Sequence, residues 1–209
     1  GNDANVAAFG EYAFGAGCGA KCMVMFTLGT GIGSGLILNG EIYTGVSETA
    51  PEIGHHIIVA DGPRCGCGRY GCLEALAQRD AIIDRAARKA HLGRHTSLLD
   101  KSGHDLRRVT PAMIAEAATE GDAISVETLN ETGYYIGLGI SNAINILNPD
   151  KVVIGGGIAQ AGELLFSPIR RTVEVNALYA PLQVCEILPA QLGDDAGVLG
   201  GAAMALKRL

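Results

Sequence analysis

The fold class this sequence predicts is α/β, a ribonuclease H-like (actin-like ATPase) domain with a zinc-knuckle loop, and three observations predict it. Strand-like apolar runs lie close together at 22–28, 35–39 and 41–44, and the Asn39-Gly40 turn between the last two favours an antiparallel hairpin. Helix, strand, helix, strand and helix then alternate to the end of the chain, an order that suits this architecture better than a Rossmann domain. Between Glu52 and Glu74 lies a loop rich in glycine and cysteine, carrying one imidazole and three thiols.

Composition sets the outer bounds. The 209 residues suffice for one large domain or a compact pair, and 48% hydrophobic residues supply a substantial core. Thirty glycines and no tryptophan point to tight turns and close backbone approaches to a ligand. A net charge of −6 argues against a general nucleic-acid surface. No apolar run reaches the ~18 residues of a membrane span, and no secretory signal is visible. Three of the six cysteines have a use other than disulfides, so a reducing cytoplasm fits best.

Taken in order, Asn2 or Asp3 caps a short helix through Tyr12, and read alone the Asn2-Asp3 pair is that cap. The absence of any strand before this polar cluster predicts that a further segment precedes Gly1. Residues 22–28 read as a buried strand and 35–39 as its partner. Between them L-G-T-G-I-G-S-G forms a glycine loop with Thr30 near its tip, able to bring backbone N–H groups and a hydroxyl onto phosphate oxygens. The same run suits an ordinary glycine-rich hairpin, and no Lys follows it as in a Walker loop. A loop from Gly45 to Gly54 delivers Glu52 and His55, and H-H-I-I-V-A reads as a further strand. An amphipathic helix is expected over 73–91, with Leu73, Leu76, Ile83 and Ala86 along one side.

Residues 93–108 read as an exposed connection, in which His91 at its edge, His95 and His104 are solvated. Thr110-Pro111 opens another helix, and a long one follows over roughly 122–147, ended by Asn148-Pro149. K-V-V-I is then a short buried strand, followed at once by G-G-G-I-A-Q-A-G. A strand, glycine turn and helix in that order place a nucleotide against backbone at Gly155, Gly156 and Gly157. Without G-x-G-x-x-G spacing and an acidic partner downstream, the expectation is a mononucleotide. Leu182 to Leu188 reads as another strand, and G-D-D-A-G-V-L-G-G-A-A-M-A-L as the closing helix.

In the central loop, His55, Cys65, Cys67 and Cys72 form the soft tetrahedral donor set that zinc prefers. A disulfide is the first alternative, but C-x-C spacing strains one and leaves the third thiol unpaired. Buried inert thiols are the second, and a Gly-, Pro- and Arg-rich loop is not expected to bury them. Four protein ligands close a site, so the metal is expected to be structural. Glu52 and Glu74 flank the loop, giving a pocket of carboxylates held by a metal knuckle.

The runs E-I-G-H, C-G-C-G-R-Y-G-C-L-E, N-D-A-N, L-G-T-G-I-G-S-G and V-V-I-G-G-G together give a resemblance. The chain resembles the ROK family (repressor, open reading frame, kinase), and within it the glucokinase-like members, over essentially all 209 residues. That resemblance implies Asp3 as the catalytic base and Asn2 beside it as a sugar-hydroxyl ligand. It implies sugar-hydroxyl binding by Glu52, His55 and Glu74, with His55 also giving its other ring nitrogen to zinc. Gly29, Thr30 and Gly31 would face the ATP phosphates, and Gly155, Gly156 and Gly157 would lie near the adenosine.

The resemblance further implies a structural Zn2+, ATP and Mg2+, a cytoplasmic homo-oligomer (dimer or tetramer), and no membrane or nucleic acid contacted by this region. Residues 1–209 would form the larger C-terminal domain of a two-domain sugar kinase. The D-x-G-G-T phosphate hairpin of the family's smaller N-terminal domain is not in this sequence, and without that wall the chain alone is expected to turn over poorly. Pro51 stands where the family usually has Gly, which stiffens the approach to Glu52. The expected reaction is ATP-dependent phosphorylation of a hexose, glucose to glucose 6-phosphate first among them. A sugar hydroxyl has a pKa far above 7, so a carboxylate must take its proton as the γ-phosphate arrives. The competing functions are the sugar-sensing effector domain of a ROK-type transcriptional repressor and a zinc-stabilised sugar-binding module without catalysis. Asp3 favours the kinase, because a sensor needs no base there.

Overall fold

The computed structural model describes residues 3–207 of the chain. Helix α1 (Asp3–Phe14) comes first, followed by strands β1 (Cys22–Leu28), β2 (Ile32–Leu38) and β3 (Glu41–Ile42). After a long loop come α2 (Leu73–Ala77), α3 (Arg79–His91), α4 (Leu98–Lys101), α5 (Pro111–Thr119) and α6 (Ala123–Leu147). The chain continues through β4 (Lys151–Gly155), α7 (Glu163–Asn176), α8 (Tyr179–Val184), β5 (Glu186–Pro189) and α9 (Ala196–Lys207).

Side chains alternate across a strand, so β1, apolar at nearly every position, must be covered on both sides. Val24, Phe26 and Leu28 face one way, into a large core shared with buried side chains of α3, α5, α6 and α7. Met23 and Met25 face the other, against Ala8 and Phe9 of α1 and Ala203 of α9. Among the described residues the sheet order is β3-β2-β1-β4-β5, five strands in all. The three early strands pair antiparallel, and β1–β4 and β4–β5 pair parallel, so the expected change from hairpin to crossover connections is observed.

Two helix starts follow their sequence signals. Thr110 accepts from the Met113 N–H with Pro111 behind it, and Asp122 accepts from the Ser125 N–H at the head of α6. At the other end of α6, Asn148 takes the left-handed conformation that closes a helix.

Several boundaries differ from the expectation, each for a tertiary reason. β2 begins at Ile32 and not at 35, so only Gly29, Thr30 and Gly31 make the turn. A side chain at Gly35 would meet the Ala8 Cβ at 2.4 Å, so this glycine serves close packing of α1 on the strand. Residues 55–60 are not a strand: a 3-10 turn at Ile53–His55 leads into a loop whose Ile58 and Val59 N–H groups both bond the Gly71 carbonyl. Their apolar run wraps the cysteine segment instead of joining the sheet.

The helix expected over 73–91 is broken at Gln78, which is extended, because the Arg79 N–H turns to bond the Gly29 carbonyl at 2.9 Å. The break shifts the helical phase, so Ile82 is fully buried and Ile83 only partly. The connection at 93–108 contains α4, whose Leu98 is fully buried, and a 3-10 turn at Leu106–Arg108; His91, His95 and His104 are exposed as expected. Residues 182–184, expected as strand, belong to α8. Its Pro181 sits in the first helical turn, where the missing N–H is no loss, and the strand is reduced to Glu186–Pro189.

Glu127 on α6 is gripped by Arg94, at 2.7 and 2.6 Å, and by Lys89 of α3 at 3.3 Å. Chiefly the Arg94 hydrogen bonds lower the Glu127 carboxyl from 4.5 to about 2. A carboxyl depressed by folding stabilises the fold above its unfolded value and loses that contribution as pH falls through the folded one. Thermal unfolding followed between pH 4.5 and about 2 should therefore lose stability less steeply in Glu127→Gln than in the wild type. Parallel acid limbs would show that the Arg94 and Lys89 contacts contribute nothing.

Candidate functional site

The glycine turn between β1 and β2 and the loop leading to α2 meet around a cleft of about 400 Å³. Asp3, the first residue of α1 and exposed, lines it from one side. Gly29, Thr30 and Gly31 line it from the turn, and Glu52, His55 and Glu74 from the loop and the head of α2. Gly156 and Gly157, beyond the end of β4, complete this wall. Apart from Asn2, which lies outside the described residues, the expected sugar- and phosphate-facing positions therefore share one cavity.

Each glutamate is placed by backbone. The carboxylate of Glu74, in the first turn of α2, accepts the Ile32 N–H at 3.0 Å. Glu52 immediately precedes the 3-10 turn, its carbonyl accepting the His55 N–H at 3.0 Å. Gly54 within E-I-G-H is required by close approach, since a Cβ there would stand 2.1 Å from the Ile32 carbonyl oxygen.

Behind the cleft, donor atoms of His55, Cys65, Cys67 and Cys72 all lie within 4.8 Å of one another. Bonds of about 2.3 Å to sulfur and about 2.0 Å to nitrogen, at tetrahedral angles, put two sulfurs about 3.8 Å apart and a sulfur and nitrogen about 3.5 Å apart. The Cys67 and Cys72 Sγ atoms are 3.7 Å apart, and Cys65 Sγ is 3.6 Å from His55 Nδ1. This donor set fits a tetrahedral ion. His55 Nδ1 faces the thiols, and the residue also lines the cleft.

One expectation about the thiols fails. Cys65 and Cys72 are buried despite the polar composition of the loop, because the segment folds back onto Ala75 of α2; only Cys67 is exposed. Burial pushes the Cys72 thiol up to about 12 and raises Cys65 as well. The Arg69 backbone N–H lowers exposed Cys67 to about 7, so a metal ion would displace protons mainly from the two buried thiols.

A second cavity of about 450 Å³ adjoins the first. Gly155 lines it, together with Gln160, Gln191 and Asp194, while Thr27, Gly156 and Gly157 line both cavities. Of the three glycines expected near a nucleotide, Gly156 and Gly157 sit where the two spaces meet and Gly155 lies in the second alone. Its far wall was not foreseen. Buried Glu11 of α1 accepts the N–H groups of Gln191 and Leu192 at 2.9 and 2.8 Å and fixes that wall from a distance. Nothing local in the sequence marks this bond; a fully buried acid in an apolar helix is the only sign of it.

Comparison with known proteins places this geometry. The sequence profile of the ROK family matches residues 1–208. The glucokinase of Halalkalibacterium halodurans is 42% identical over 202 residues, covering 96% of this chain and 61% of that protein. A xylose repressor of Bacillus spizizenii is 31% identical over 207 residues, covering 99% of this chain and 50% of the repressor. The crystal structure of a ROK family glucokinase from Streptomyces griseus, in complex with glucose and AMPPNP, superposes with a TM-score of 0.90 at 35% identity. That match covers 99% of this chain and 67% of the other. The chain therefore spans 61% of the length of the Halalkalibacterium relative, and its mixed sheet with flanking helices is that of ROK sugar kinases. With nearly every residue inside the family profile, the chain belongs to the ROK family.

Proposed function

We propose that this chain is the larger domain of an ATP-dependent hexose kinase, with glucose converted to glucose 6-phosphate as the first candidate reaction. The observation that carries the proposal is the pair of cavities sharing Thr27, Gly156 and Gly157, one lined by the carboxylates of Asp3, Glu52 and Glu74 and the other by glycines, apolar side chains, two glutamines and Asp194. Phosphoryl transfer needs a sugar and a nucleotide held edge to edge, and positioning supplies most of the catalysis. The glucose and AMPPNP held by the Streptomyces griseus protein support the same assignment.

In this reading Asn2, Glu52, His55 and Glu74 hold the sugar hydroxyls, and Asp3 takes the proton of the attacking hydroxyl as the γ-phosphoryl group arrives. Gly29, Thr30 and Gly31 face the phosphates, and Gly155, Gly156 and Gly157 approach the adenosine. Magnesium accompanying ATP supplies positive charge to the phosphates. His55, Cys65, Cys67 and Cys72 would hold a structural zinc, which fixes the loop between the two glutamates and leaves the chemistry to the carboxylates. The protein is read as a cytoplasmic homo-oligomer, a dimer or tetramer. Among the described residues no helix is long and apolar enough to cross a membrane.

The second reading, a sugar-sensing effector domain, is favoured by the xylose repressor that matches over 99% of the chain. A carboxylate at Asp3 in the cleft weighs against it, since sensing requires no proton acceptor.

Two experiments test the proposal. The full-length protein containing this chain should phosphorylate glucose with ATP, and Asp3→Ala should lower kcat by about 10²- to 10⁴-fold while glucose binding changes much less. Glucose binding with no turnover on any hexose of a panel would move the assignment to the sensor. Elemental analysis should find about one zinc per chain, lost in Cys67→Ser. Equal metal content in the two proteins would reject the zinc site.

A further inference from the structure

Ser34 was part of the glycine-rich run L-G-T-G-I-G-S-G, yet neither the phosphate turn nor the sheet explains a hydroxyl there. It sits on β2, opposite Phe26 of β1, with only 2% of its surface exposed. Its hydroxyl donates to the Pro51 carbonyl at 2.9 Å and accepts the Ile53 N–H at 3.0 Å. These are the peptide groups immediately before and after Glu52. Asn5 of α1 adds a third tie one residue earlier, donating from Nδ2 to the Ala50 carbonyl at 3.3 Å. Glu52 itself lines the cleft, so a single buried oxygen holds the backbone on both sides of a cleft carboxylate.

From this geometry we infer that Ser34 is a positioning residue for sugar recognition: its hydroxyl sets where the Glu52 carboxylate projects. The inference rests on the proposed sugar site. A hydroxyl that donates and accepts at once fixes two peptide planes, and it is already desolvated before any ligand arrives. Removing it leaves the part-buried Pro51 carbonyl and Ile53 N–H without their shared partner, and a shift of the backbone that carries Glu52 relieves that loss. The ligand class that would register the movement is one presenting vicinal hydroxyls to a carboxylate, with glucose as the probe.

The experiment is a double-mutant cycle read by calorimetric glucose binding in the full-length protein. Ser34→Ala should weaken binding roughly tenfold. Added to Glu52→Gln it should cost less than about twofold, because Ser34 acts through that carboxylate. Ser34→Thr, which keeps the hydroxyl, should restore most of the affinity. Should Ser34→Ala fail to fold, Ser34→Cys keeps the side-chain size with a weak donor and carries the same expectation. Wild-type affinity in Ser34→Ala, or an equal loss with and without Glu52, would overturn the inference while leaving the sugar site standing. Absence of glucose binding in the wild type would remove both.

Discussion

A single residue of β2 carries much of this site. The Ile32 N–H is bonded by the Glu74 carboxylate, and the Ile32 carbonyl is so closely approached by Gly54 that no side chain fits between them. The strand is held in turn by seven paired positions against β1, whose own side chains are buried on both faces. Rigidity in the sheet is thus passed to two carboxylates separated by the 21 residues 53–73. Strong neutral and charge-assisted hydrogen bonds to a strand backbone make a better reference frame than contacts to a loop, because the strand has no alternative register to adopt.

The thiol cluster serves the same end from the other side. Two of its sulfurs are buried, and burial raises their proton affinity. The loop between Glu52 and Glu74 leaves Ile57 and Tyr70 more than half exposed and is tied to itself by backbone hydrogen bonds, Ile58 and Val59 to Gly71 and Cys65 to Arg69 among them. A tetrahedral ion would add a further constraint, and the Cys67–Cys72 and Cys65–His55 separations of 3.7 and 3.6 Å suit one.

The parts of this site that could be read from sequence are those whose chemistry is local. The ligand spacing at His55, Cys65, Cys67 and Cys72, the turn at Thr30 and the glycines after β4 each announce themselves within a few residues. What sequence reading missed depends on a partner far along the chain. The kink at Gln78 exists because Arg79 bonds Gly29, the wall of the second cavity because Glu11 reaches Gln191 and Leu192, and the bracket on Glu52 because Ser34 lies beneath it. Periodicity predicted one helix over 73–91 because both halves are amphipathic; only the tertiary hydrogen bond breaks the phase. The supposed strand at 55–60 failed for the same reason, since its β-prone residues give their N–H groups to Gly71 and not to a sheet edge.

The kinase and sensor readings differ in what they require of this shared frame. Both need the first cavity with its carboxylates, and both gain from a fixed loop. Only phosphotransfer needs the second cavity to open onto the first at Gly156 and Gly157, and only phosphotransfer needs an acid at the head of α1. α1 unites those two requirements: Asp3 lines the first cavity from its N-terminal end, and Glu11 holds the wall of the second from its C-terminal half. In the kinase reading, a helix that fixed proton acceptor and nucleotide wall as one rigid body would control the distance over which the phosphoryl group passes. A sensor gains nothing from that arrangement.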